Sequence, residues 1–434
     1  MMRKGAVLTS YRIATSLLAP LAPALLLWRR RNGKEDPARI AERRGHPGKK
    51  RPNRSLIWLH GASVGETVTL LPLVAQLQRR GLSVLVTSGT VTSARLLEAR
   101  LPAGAIHQYL PLDMPRYMQR FLDYWQPDLG LICESEIWPN LLIEARRREI
   151  PLALVNARMS ERSFARWYKA PRTSRFLLSC FEACLAQSQG DAERLAQLGA
   201  PRVSVAGNLK FDVPAPPADA DMLAILDGMT TGRPVWIAAS THPGEDEPVL
   251  AAHLAIKPHL PNLLTIVVPR HPQRGDEIEA LAQANAVAAS RRSTGGQPER
   301  DVEFYIADTV NELGLLYRLS QVAFLGGSLV PGIGGHNPIE PAKLGCALLH
   351  GPHVHNNAEI FEAFDRDGGS REVADAQTLA GAVHRWLSDP ASARQAARAA
   401  AHTATELGGA LGRTMQAIEP LLMRMALGQR ETRS

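Results

Sequence analysis

The sequence predicts an α/β protein built from two doubly wound domains, each a parallel sheet covered by helices. Short apolar runs alternate with amphipathic stretches from residue 55 onward, a pattern typical of parallel sheets with helices on both faces. A proline-rich stretch at 214–217 interrupts the alternation, which then restarts. A chain of 434 residues that is 45 % hydrophobic can also fill two ordinary cores.

Seven apolar runs before the proline-rich stretch and five after it are predicted as strands. They are 55–59, 83–87, 106–110, 129–133, 152–156, 183–186 and 203–206, then 235–238, 263–268, 303–306, 322–325 and 347–349. The segments between them have helical spacing; in 66–80, three leucines and a valine share one face before Gly81 ends the helix. Open parallel sheets bind ligands beyond the carboxyl ends of their strands. Candidate functional residues should therefore lie directly after these runs.

The N-terminal segment 1–31 is predicted to anchor the protein to a membrane. Residues 1–4 are basic, 14–28 are almost wholly apolar, and three arginines follow at 29–31. The apolar part is short for a full span and contains two prolines, so its composition does not decide whether it crosses the bilayer or lies along it. No small-residue cleavage site follows, which argues against a secretory signal. A buried apolar hairpin is the alternative.

Composition narrows the class of partner. The net charge of +8 and the pI near 9.5 favour an anionic partner. Nucleic acid is disfavoured, because an aromatic content of 5 % offers few stacking platforms. The four cysteines, Cys133, Cys180, Cys184 and Cys346, have neither CxxC nor zinc spacing, so we expect free thiols, no disulfide and no structural metal.

A glycine-rich run at 326–341 follows the apolar run 322–325 and opens a predicted helix. Its glycines let backbone N–H groups approach an anion, while Asn337 at the N-cap, Pro338 at the first helical position and Glu340 three residues past the cap mark a helix start. Because a helix N-terminus concentrates unpaired donors and positive potential, the run predicts a phosphate or nucleotide site. A capping box that merely starts a helix is the alternative.

Glu66 lies in the glycine-lined turn after the first predicted strand. Ser63 and Glu66 have capping-box spacing, which is one interpretation. The other follows from position, since a carboxylate at the ligand edge of the sheet, kept ionised by the helix N-terminus, could accept a proton from a sugar hydroxyl. No Gly-Lys-Ser/Thr follows, and no dinucleotide fingerprint is present, so the turn is not a phosphate-binding P-loop or a dinucleotide site.

Two carboxylates, Glu134 and Glu136, follow the fourth predicted strand beside Trp138. In an extended segment they would share a face, and their repulsion would require a nearby cation or hydroxyl cluster. One of them could instead be a plain charge at a helix N-terminus. Glu134, which is nearer the strand, is the predicted functional residue.

Basic residues follow other predicted strands. Lys210 could neutralise a departing phosphate, although a lone lysine at a strand end is usually only solvated. Arg270 and His271, flanked by prolines, are predicted to meet an anion on a rigid turn. His242, His271 and His336 lie on three separate loops without an HxH or HxxxH pair, so a zinc site is not predicted.

Taken together, six segments resemble the 3-deoxy-D-manno-octulosonic acid (Kdo) transferases of lipopolysaccharide assembly. The segments are His60-Gly61-Ala62-Ser63-Val64-Gly65-Glu66, Glu134-Ser135-Glu136-Ile137-Trp138-Pro139-Asn140, Asn156-Ala157-Arg158, Gly207-Asn208-Leu209-Lys210-Phe211-Asp212, Pro269-Arg270-His271-Pro272 and Gly334-Gly335-His336-Asn337-Pro338-Ile339-Glu340. The resemblance runs from the N-terminal anchor almost to the C-terminus. It implies a glycosyltransferase-B architecture, with two Rossmann-like domains facing a cleft.

The resemblance further implies domain roles. An acceptor-binding domain at 32–212 follows the anchor, and a linker at 213–230 joins it to a CMP-sugar-binding domain at 231–405, before a C-terminal helical segment at 406–434. The implied donor is CMP-Kdo and the implied acceptor a lipid A precursor (lipid IVA), at the cytoplasmic side of the cell inner membrane and in contact with its lipids. The transfer is expected to be inverting and to need neither a metal nor a cofactor.

Carried over residue by residue, the family's roles fall on the positions singled out above. The general base falls on Glu66, and the transition-state stabilisers fall on Glu134 and Lys210. The nucleotide contacts fall on Arg270, His271, Asn311, Glu312, Leu313, Asn337, Pro338, Ile339 and Glu340. The match is loosest at Asn311. In the last segment the helix start would receive the CMP phosphate, and the Glu340 carboxylate would accept hydrogen bonds from the ribose hydroxyls.

Two other functions fit parts of the pattern. A UDP-sugar-dependent glycosyltransferase or epimerase would share the architecture. A non-catalytic, membrane-tethered binding protein would explain the anchor and the basic surface, but not the carboxylates at two strand ends.

Overall fold

Two seven-stranded parallel sheets organise the chain in the computed structural model, which describes residues 5–431 and their side chains as far as 427. Of the described residues, those up to 213 and those from 407 onward form the first compact unit, and 214–406 form the second. The predicted α/β class with parallel sheets is therefore confirmed.

The first unit contains all seven of its predicted strands, paired in parallel in the order β3-β2-β1-β4-β5-β6-β7. The strands are β1 Leu56–His60, β2 Ser83–Ser88, β3 Ile106–Tyr109, β4 Leu129–Cys133, β5 Leu152–Ala157, β6 Ala183–Ala186 and β7 Val203–Val205. The helices are α1 Ala6–Leu17, α2 Ala22–Arg31, α3 Val64–Arg79, α4 Val91–Arg100, α5 Pro115–Trp125, α6 Pro139–Arg147, α7 Glu161–Tyr168, α8 Pro171–Leu178 and α9 Gln189–Gln197.

Alternation along the central strand builds a core on each face of the first sheet. Leu56 and Trp58 of β1 pack on one face, where the ring of Trp58 meets Phe121 edge-on with centroids 5.3 Å apart. Ile57 and Leu59 pack on the other face, against the apolar side of α3. Because both faces are covered, the strand is apolar at every position before His60, as expected for a buried parallel sheet.

The second unit repeats the design with the strand order β10-β11-β9-β8-β12-β13-β14. Its strands are β8 Val235–Thr241, β9 Leu264–Pro269, β10 Ala289–Arg291, β11 Phe304–Ile306, β12 Val322–Leu325, β13 Ala347–His350 and β14 Ser370–Glu372. Its helices are α10 Ala220–Thr230, α11 Asp246–Ile256, α12 Gly275–Ala284, α13 Leu313–Tyr317, α14 Ile339–Lys343, α15 Ala358–Arg366, α16 Ala376–Ser388 and α17 Pro390–Glu406.

Two features of the second unit were absent from the sequence prediction. The edge strands β10 and β14 are three residues long and carry serine, arginine and glutamate, so no apolar run marks them. Helix α10 occupies most of the stretch interpreted as a linker, beginning at an Asp219 cap whose side chain accepts from the N–H of Met222. Short, half-exposed edge strands are held by their neighbours in the sheet rather than by their own hydrophobicity.

The N-terminal helices α1 and α2 are fastened to the first unit along one side. Leu8 belongs to its core, the hydroxyl of Tyr11 donates to Asp113 at 3.0 Å, and Arg12 pairs with the buried Glu144 at 2.6 Å. No single helix in the described chain has the length and hydropathy of a membrane span; α1 and α2 together pass that test, with a bend of 42° between them. Residues 1–4 of the predicted anchor lie outside the described residues.

The last helix, α18 Ala410–Glu431, returns to the first unit. Its Met415, Ile418, Leu421 and Leu422 enter the same core as the apolar face of α3. Arg413 donates to the carbonyl of Ala206 at 2.8 Å. The first unit is therefore assembled from two separate parts of the sequence.

Candidate functional site

Each sheet has one position at which the connection changes direction, between β1 and β4 in the first unit and between β8 and β12 in the second. Such switch points open a crevice at the carboxyl ends of the strands, where doubly wound proteins bind ligands. Glu66, Glu134, His242 and the glycine-rich run, all singled out from the sequence, follow these four strands.

Glu66 lies in the first turn of α3, directly after β1, and only 9 % of it is exposed. Its carboxylate accepts from the Ala62 N–H at 2.8 Å and from the Ser63 hydroxyl at 2.6 Å, while Ser63 Oγ caps the Glu66 N–H at 3.3 Å. Gly61 is required here, because a Cβ on it would lie 3.0 Å from Cβ of Glu66. Ser63 thus caps the helix as the spacing predicts, but the Glu66 carboxylate returns to the Ala62 N–H and the Ser63 hydroxyl rather than to the Ser63 N–H of a full capping box.

Glu134 follows β4 in a left-handed conformation, with a φ of 55°. Its Oε1 lies 3.3 Å from Nζ of Lys210, whose side chain is 40 % exposed. Burial raises the pKa of the neighbouring Cys133 thiol, with Glu134 and Glu66 adding to the rise and Lys210 opposing it. The structure therefore gathers Glu66, Glu134 and Lys210, the three predicted catalytic residues, around the end of β4.

A third carboxylate, Glu136, belongs to the same cluster. Its Oε2 lies 3.6 Å from Nε2 of the buried His60 and accepts from the indole N–H of Trp138 at 2.5 Å. Burial opposes ionisation, but the approach of His60 and the Trp138 hydrogen bond prevail and lower the pKa of Glu136. The cluster around the end of β4 consequently has three carboxylates, Glu66, Glu134 and Glu136, of which Glu134 has a lysine partner.

A hydrogen-bond network fixes the loop that carries Lys210. Asn156, left-handed and buried at the end of β5, accepts from the Leu209 N–H at 2.9 Å. Asn208 caps the Lys210 N–H at 3.0 Å and donates to Gln187 at 3.2 Å. Behind the loop, the Asp212 carboxylate accepts from two backbone N–H groups at the start of α18, at 2.7 and 2.6 Å.

In the second unit, a buried carboxylate that the sequence analysis did not single out organises the glycine-rich run. Glu245 is fully buried and accepts from the N–H groups of Gly327 at 2.6 Å, Ser328 at 3.0 Å and Leu329 at 2.9 Å. It also accepts from the His242 N–H at 2.9 Å. These donors, which the glycine pattern suggested for a ligand anion, are thus bound to an anion of the chain itself.

The helix after the glycine-rich run also differs from its prediction. Helix α14 is five residues long and begins at Ile339 rather than Pro338, and Asn337 Oδ1 accepts from the Ile339 N–H at 3.1 Å. Pro338 and Ile339 are buried, while Asn337 is exposed and Glu340 is half-buried. Only Asn337 and Glu340 of this segment therefore present side chains towards solvent.

Three histidines meet above the switch point of the second sheet. His242 follows β8 and His336 lies in the glycine-rich run after β12. Their Nε2 atoms are 2.9 Å apart, and their ring planes are nearly parallel, at 11°, with centroids 5.1 Å apart. His271, after β9, meets His242 edge-on with centroids 5.9 Å apart. The sequence placed these residues on separate loops, and the fold brings them together. The described residues contain no group of three or more His, Cys, Asp or Glu side chains arranged to hold a metal ion.

Burial and positively charged neighbours both act on the pKa values of His242 and His336. Burial lowers the pKa of His336 to about 4, with His242, Arg270 and His271 adding to the effect. Burial also lowers the pKa of His242, against the opposing charge of Glu245. Arg270 and His271 are exposed on the turn after β9. The edge of this sheet therefore presents Arg270 beside the poorly basic imidazoles of His242 and His336.

The turn at 311–313 is built around an ion pair. Asn311 has a φ of 64° and is exposed, and Leu313 starts α13. Both oxygens of Glu312 accept from Arg292 at 2.6 Å, and these hydrogen bonds lower the pKa of Glu312. Because Glu312 already neutralises Arg292, its carboxylate is committed within the unit.

Some contacts of the second unit were not predicted from the sequence. Glu245 stands in Ser240-Thr241-His242-Pro243-Gly244-Glu245, three residues beyond a histidine that the motif search had singled out, at the spacing of Ser63 and Glu66. That spacing was the available signal. The pairing of Glu312 with Arg292, and of His242 with His336, spans 20 and 94 residues and has no local signature.

Comparison with known proteins identifies a family. Residues 38–213 match the family model described as 3-deoxy-D-manno-octulosonic-acid transferase (kdotransferase). The chain is 37 % identical over 396 residues to the 3-deoxy-D-manno-octulosonic acid transferase of Haemophilus influenzae, covering 89 % of this chain and 92 % of the relative. It is 36 % identical over 429 residues to that of Bordetella pertussis, covering 94 % and 99 %.

Solved structures share the whole fold at low identity. A glycosyltransferase from Rickettsia africae matches with a TM-score of 0.58 and 14 % identity, over 86 % of this chain and 99 % of its own. The UDP-GlcNAc 2-epimerase of Neisseria meningitidis, bound to UDP-GlcNAc, matches with a TM-score of 0.56 and 14 % identity, over 85 % and 100 %. These similarities establish the fold alone.

The Glu245 contacts generate a stability prediction. In Glu245→Gln, the new amide NH₂ would face backbone N–H donors, which leaves buried groups unpaired. We expect the free energy of unfolding to fall by about 2–3 kcal/mol, the scale for losing hydrogen bonds to a buried charge. Urea unfolding followed by circular dichroism measures it.

The matched control is Glu277→Gln, whose side chain is 66 % exposed and pairs with Arg274 at 3.3 Å. An exposed pair contributes about 1 kcal/mol or less. Equal unfolding curves for Glu245→Gln and the wild type would contradict the organising role of Glu245.

Proposed function

We propose a donor, an acceptor and residue roles for this chain, which belongs to the 3-deoxy-D-manno-octulosonic-acid (Kdo) transferase family and is a glycosyltransferase. The reaction is an inverting, metal-independent transfer of Kdo from CMP-Kdo to a lipid A precursor, lipid IVA, in lipopolysaccharide core biosynthesis, on a glycosyltransferase-B architecture. The observation that carries the proposal is the cluster of Glu66, Glu134 and Lys210 at the switch point of the first sheet.

Glu66 acts as the general base. Each of its carboxylate oxygens accepts one hydrogen bond within the turn, which leaves each oxygen a second lone pair. It takes the proton of the acceptor hydroxyl while that oxygen forms a bond to C2 of Kdo and the bond from C2 to the phosphate oxygen breaks. A single displacement of this kind inverts the configuration, and CMP leaves with the electron pair.

Glu134 and Lys210 stabilise the charge that develops during the displacement. Their ion pair at 3.3 Å holds both groups in fixed positions, and the Asn156 and Asn208 contacts fix the backbone beneath Lys210. Preorganised charges of this kind need no rearrangement during the reaction. We assign Glu136 to orienting the pair His60 and Trp138, since its carboxylate contacts both.

The second unit holds the nucleotide of the donor. Because Glu245 already accepts from the N–H groups at 327–329, we assign the phosphate contacts to Arg270 and His271, which are exposed on the turn after β9. Asn337 and the half-buried Glu340 contact the ribose, Pro338 and Ile339 contribute backbone only, and the turn of Asn311, Glu312 and Leu313 borders the base. Arginine offers planar paired donors suited to phosphate oxygens.

We propose that the N-terminal helices bind the cytoplasmic side of the inner membrane. Eight large apolar side chains are exposed on α1, α2 and the turn between them: Val7, Ile13, Leu17, Leu18, Leu21, Leu25, Leu27 and Trp28. Crossing the bilayer would break the contacts of Leu8, Tyr11 and Arg12 with the first unit. We therefore infer that this segment lies along the membrane surface, with its apolar side in the lipid and the arginines at 29–31 near the headgroups.

Replacing Glu66 by Gln separates its two roles. Glutamine preserves the capping geometry, so the unfolding midpoint should change little. Turnover of CMP-Kdo onto lipid IVA should fall by roughly 10²-fold or more, the scale for a positioned base. Mass spectrometry of the products measures turnover, and thermal unfolding followed by circular dichroism measures the midpoint.

The control is Asp375→Asn, the same acid-to-amide change at the N-cap of α16 in the second unit. Asparagine caps a helix about as well as aspartate, so this variant should keep both the stability and the turnover of the wild type. Wild-type turnover by the Glu66→Gln protein would remove Glu66 from the role of base.

Nucleotide specificity distinguishes the proposed reaction from that of a UDP-sugar enzyme. At 100 times its dissociation constant, a ligand stabilises the folded state by about 2.7 kcal/mol. We expect CMP to raise the melting temperature, measured by differential scanning fluorimetry, and UDP at the same concentration to leave it within error of the apo value. A shift with UDP and none with CMP would favour the UDP-sugar transferase or epimerase.

The membrane proposal predicts sedimentation with vesicles containing phosphatidylglycerol. A Leu17→Ser, Leu21→Ser double variant removes two exposed leucines from α1 and the following turn, and its partition coefficient should fall tenfold or more, about 1.4 kcal/mol or greater. Ile225→Ser, at an exposed leucine-sized position on α10, is the matched control and should sediment like the wild type. Equal sedimentation of all three proteins would contradict a role for this face.

A further inference from the structure

The hydrogen bond between His242 and His336 joins two imidazole side chains, both of which become cationic on protonation. With Nε2 atoms 2.9 Å apart, one ring must donate its N–H and the other must accept through a lone pair. Protonation of the accepting ring would set two N–H groups against one another. The pair is therefore stable only while at least one ring is neutral.

We propose that this histidine pair is a proton-coupled phosphate clamp: an anionic phosphate oxygen replaces the shared hydrogen bond, and the pair takes up one proton so that both Nε2–H groups donate to the phosphate. The inference deepens the proposed function and rests on a nucleotide binding to the second unit. It goes beyond the nucleotide contacts assigned above, which did not include His242 or His336. The proton comes from solvent, and no covalent bond changes.

The position of the pair supports a ligand role. His242 follows β8 and His336 ends the loop after β12, so the two rings meet above the switch point of the sheet. The loop is shaped to admit the His336 ring, since a Cβ on Gly327 would lie 3.2 Å from its Cδ2 and 3.3 Å from its Nε2. Gly327 has a φ of 68°, which favours glycine in its own right.

The surrounding charges explain why an anion would change the protonation of the pair. Arg270 and His271 after β9 disfavour a further positive charge on both rings, and Arg274 does so at His242. Glu245 opposes them at His242 but is already held by four backbone N–H groups. His355, of the loop after β13, lies beside Gly334. An arriving phosphate supplies the negative charge that this cationic edge lacks.

The direction of the pH dependence follows. Burial among cations lowers the pKa of His336 to about 4 in the free protein, and a bound phosphate raises it. Affinity should be highest below about pH 4, where the free pair already carries the extra proton, and should fall as the pH rises from there towards the pKa of the bound state, by up to tenfold per pH unit for one proton.

The test is isothermal titration calorimetry of the full chain with cytidine 5′-methyl phosphate. This phosphodiester keeps a single charge near neutrality, as the donor would, so that a change in bound protons reports the protein. Titrations at pH 6.5 in buffers of different ionisation enthalpy should show uptake of about half a proton or more by the wild type, and almost none by His336→Asn. His384→Asn, in the His259 ring pair outside the site with centroids 5.2 Å apart, should retain the wild-type uptake.

Each other result is decisive. Two results would contradict the clamp and leave the proposed function standing. One is binding by the wild type without proton uptake, and the other is full proton uptake by the folded His336→Asn protein. His242→Asn gives the same readout through the partner ring if His336→Asn fails to fold. If neither the methyl ester nor CMP binds the wild type, the donor assignment is wrong and the clamp falls with it.

Discussion

The buried carboxylate of Glu245 is the contact on which the edge of the second sheet depends. It joins the turn after β8 to the loop after β12 through backbone N–H groups alone. Among the described residues, no Lys, Arg or His side chain forms an ion pair with this carboxylate; the neighbouring Arg274 pairs with Asp246 and Glu277. Since an isolated buried charge is costly, the loop must hold its donors in place, and its left-handed glycines make that geometry accessible.

The first unit uses the same device on a smaller scale. Glu66 satisfies an N–H and a hydroxyl at the start of α3, as Glu245 satisfies the loop beside α11. In both units a glutamate three residues beyond a hydroxyl or histidine occupies the donors that a phosphate would otherwise meet. An anion at either sheet edge would therefore meet side chains, namely Lys210 in the first unit and Arg270 with the histidines in the second.

The sequence predicted those parts of the structure that have a local cause. Twelve strands follow from apolar runs, and the cap at Glu66 follows from its spacing to Ser63. The edge strands β10 and β14 were not predicted, because the neighbouring strands stabilise them rather than an apolar run of their own. The role of Glu245 was not predicted, because the sequence of a glycine-rich loop is the same whether its N–H groups bind a ligand or a side chain. The histidine pair joins residues 94 positions apart, a separation that only the fold resolves.

The return of α18 to the first unit bears on how the protein is made. Residues 410–427 fill a core whose other members are synthesised in the first half of the chain. While the ribosome is still making the second unit, the apolar side of α3 is exposed, and the loop of Lys210 lacks the contacts that Asp212 and the Ala206 carbonyl make with residues 409–413. Domains usually fold in the order of their synthesis. Here the unit that begins first is completed last, so the arrangement around Lys210 forms only once α18 has been synthesised.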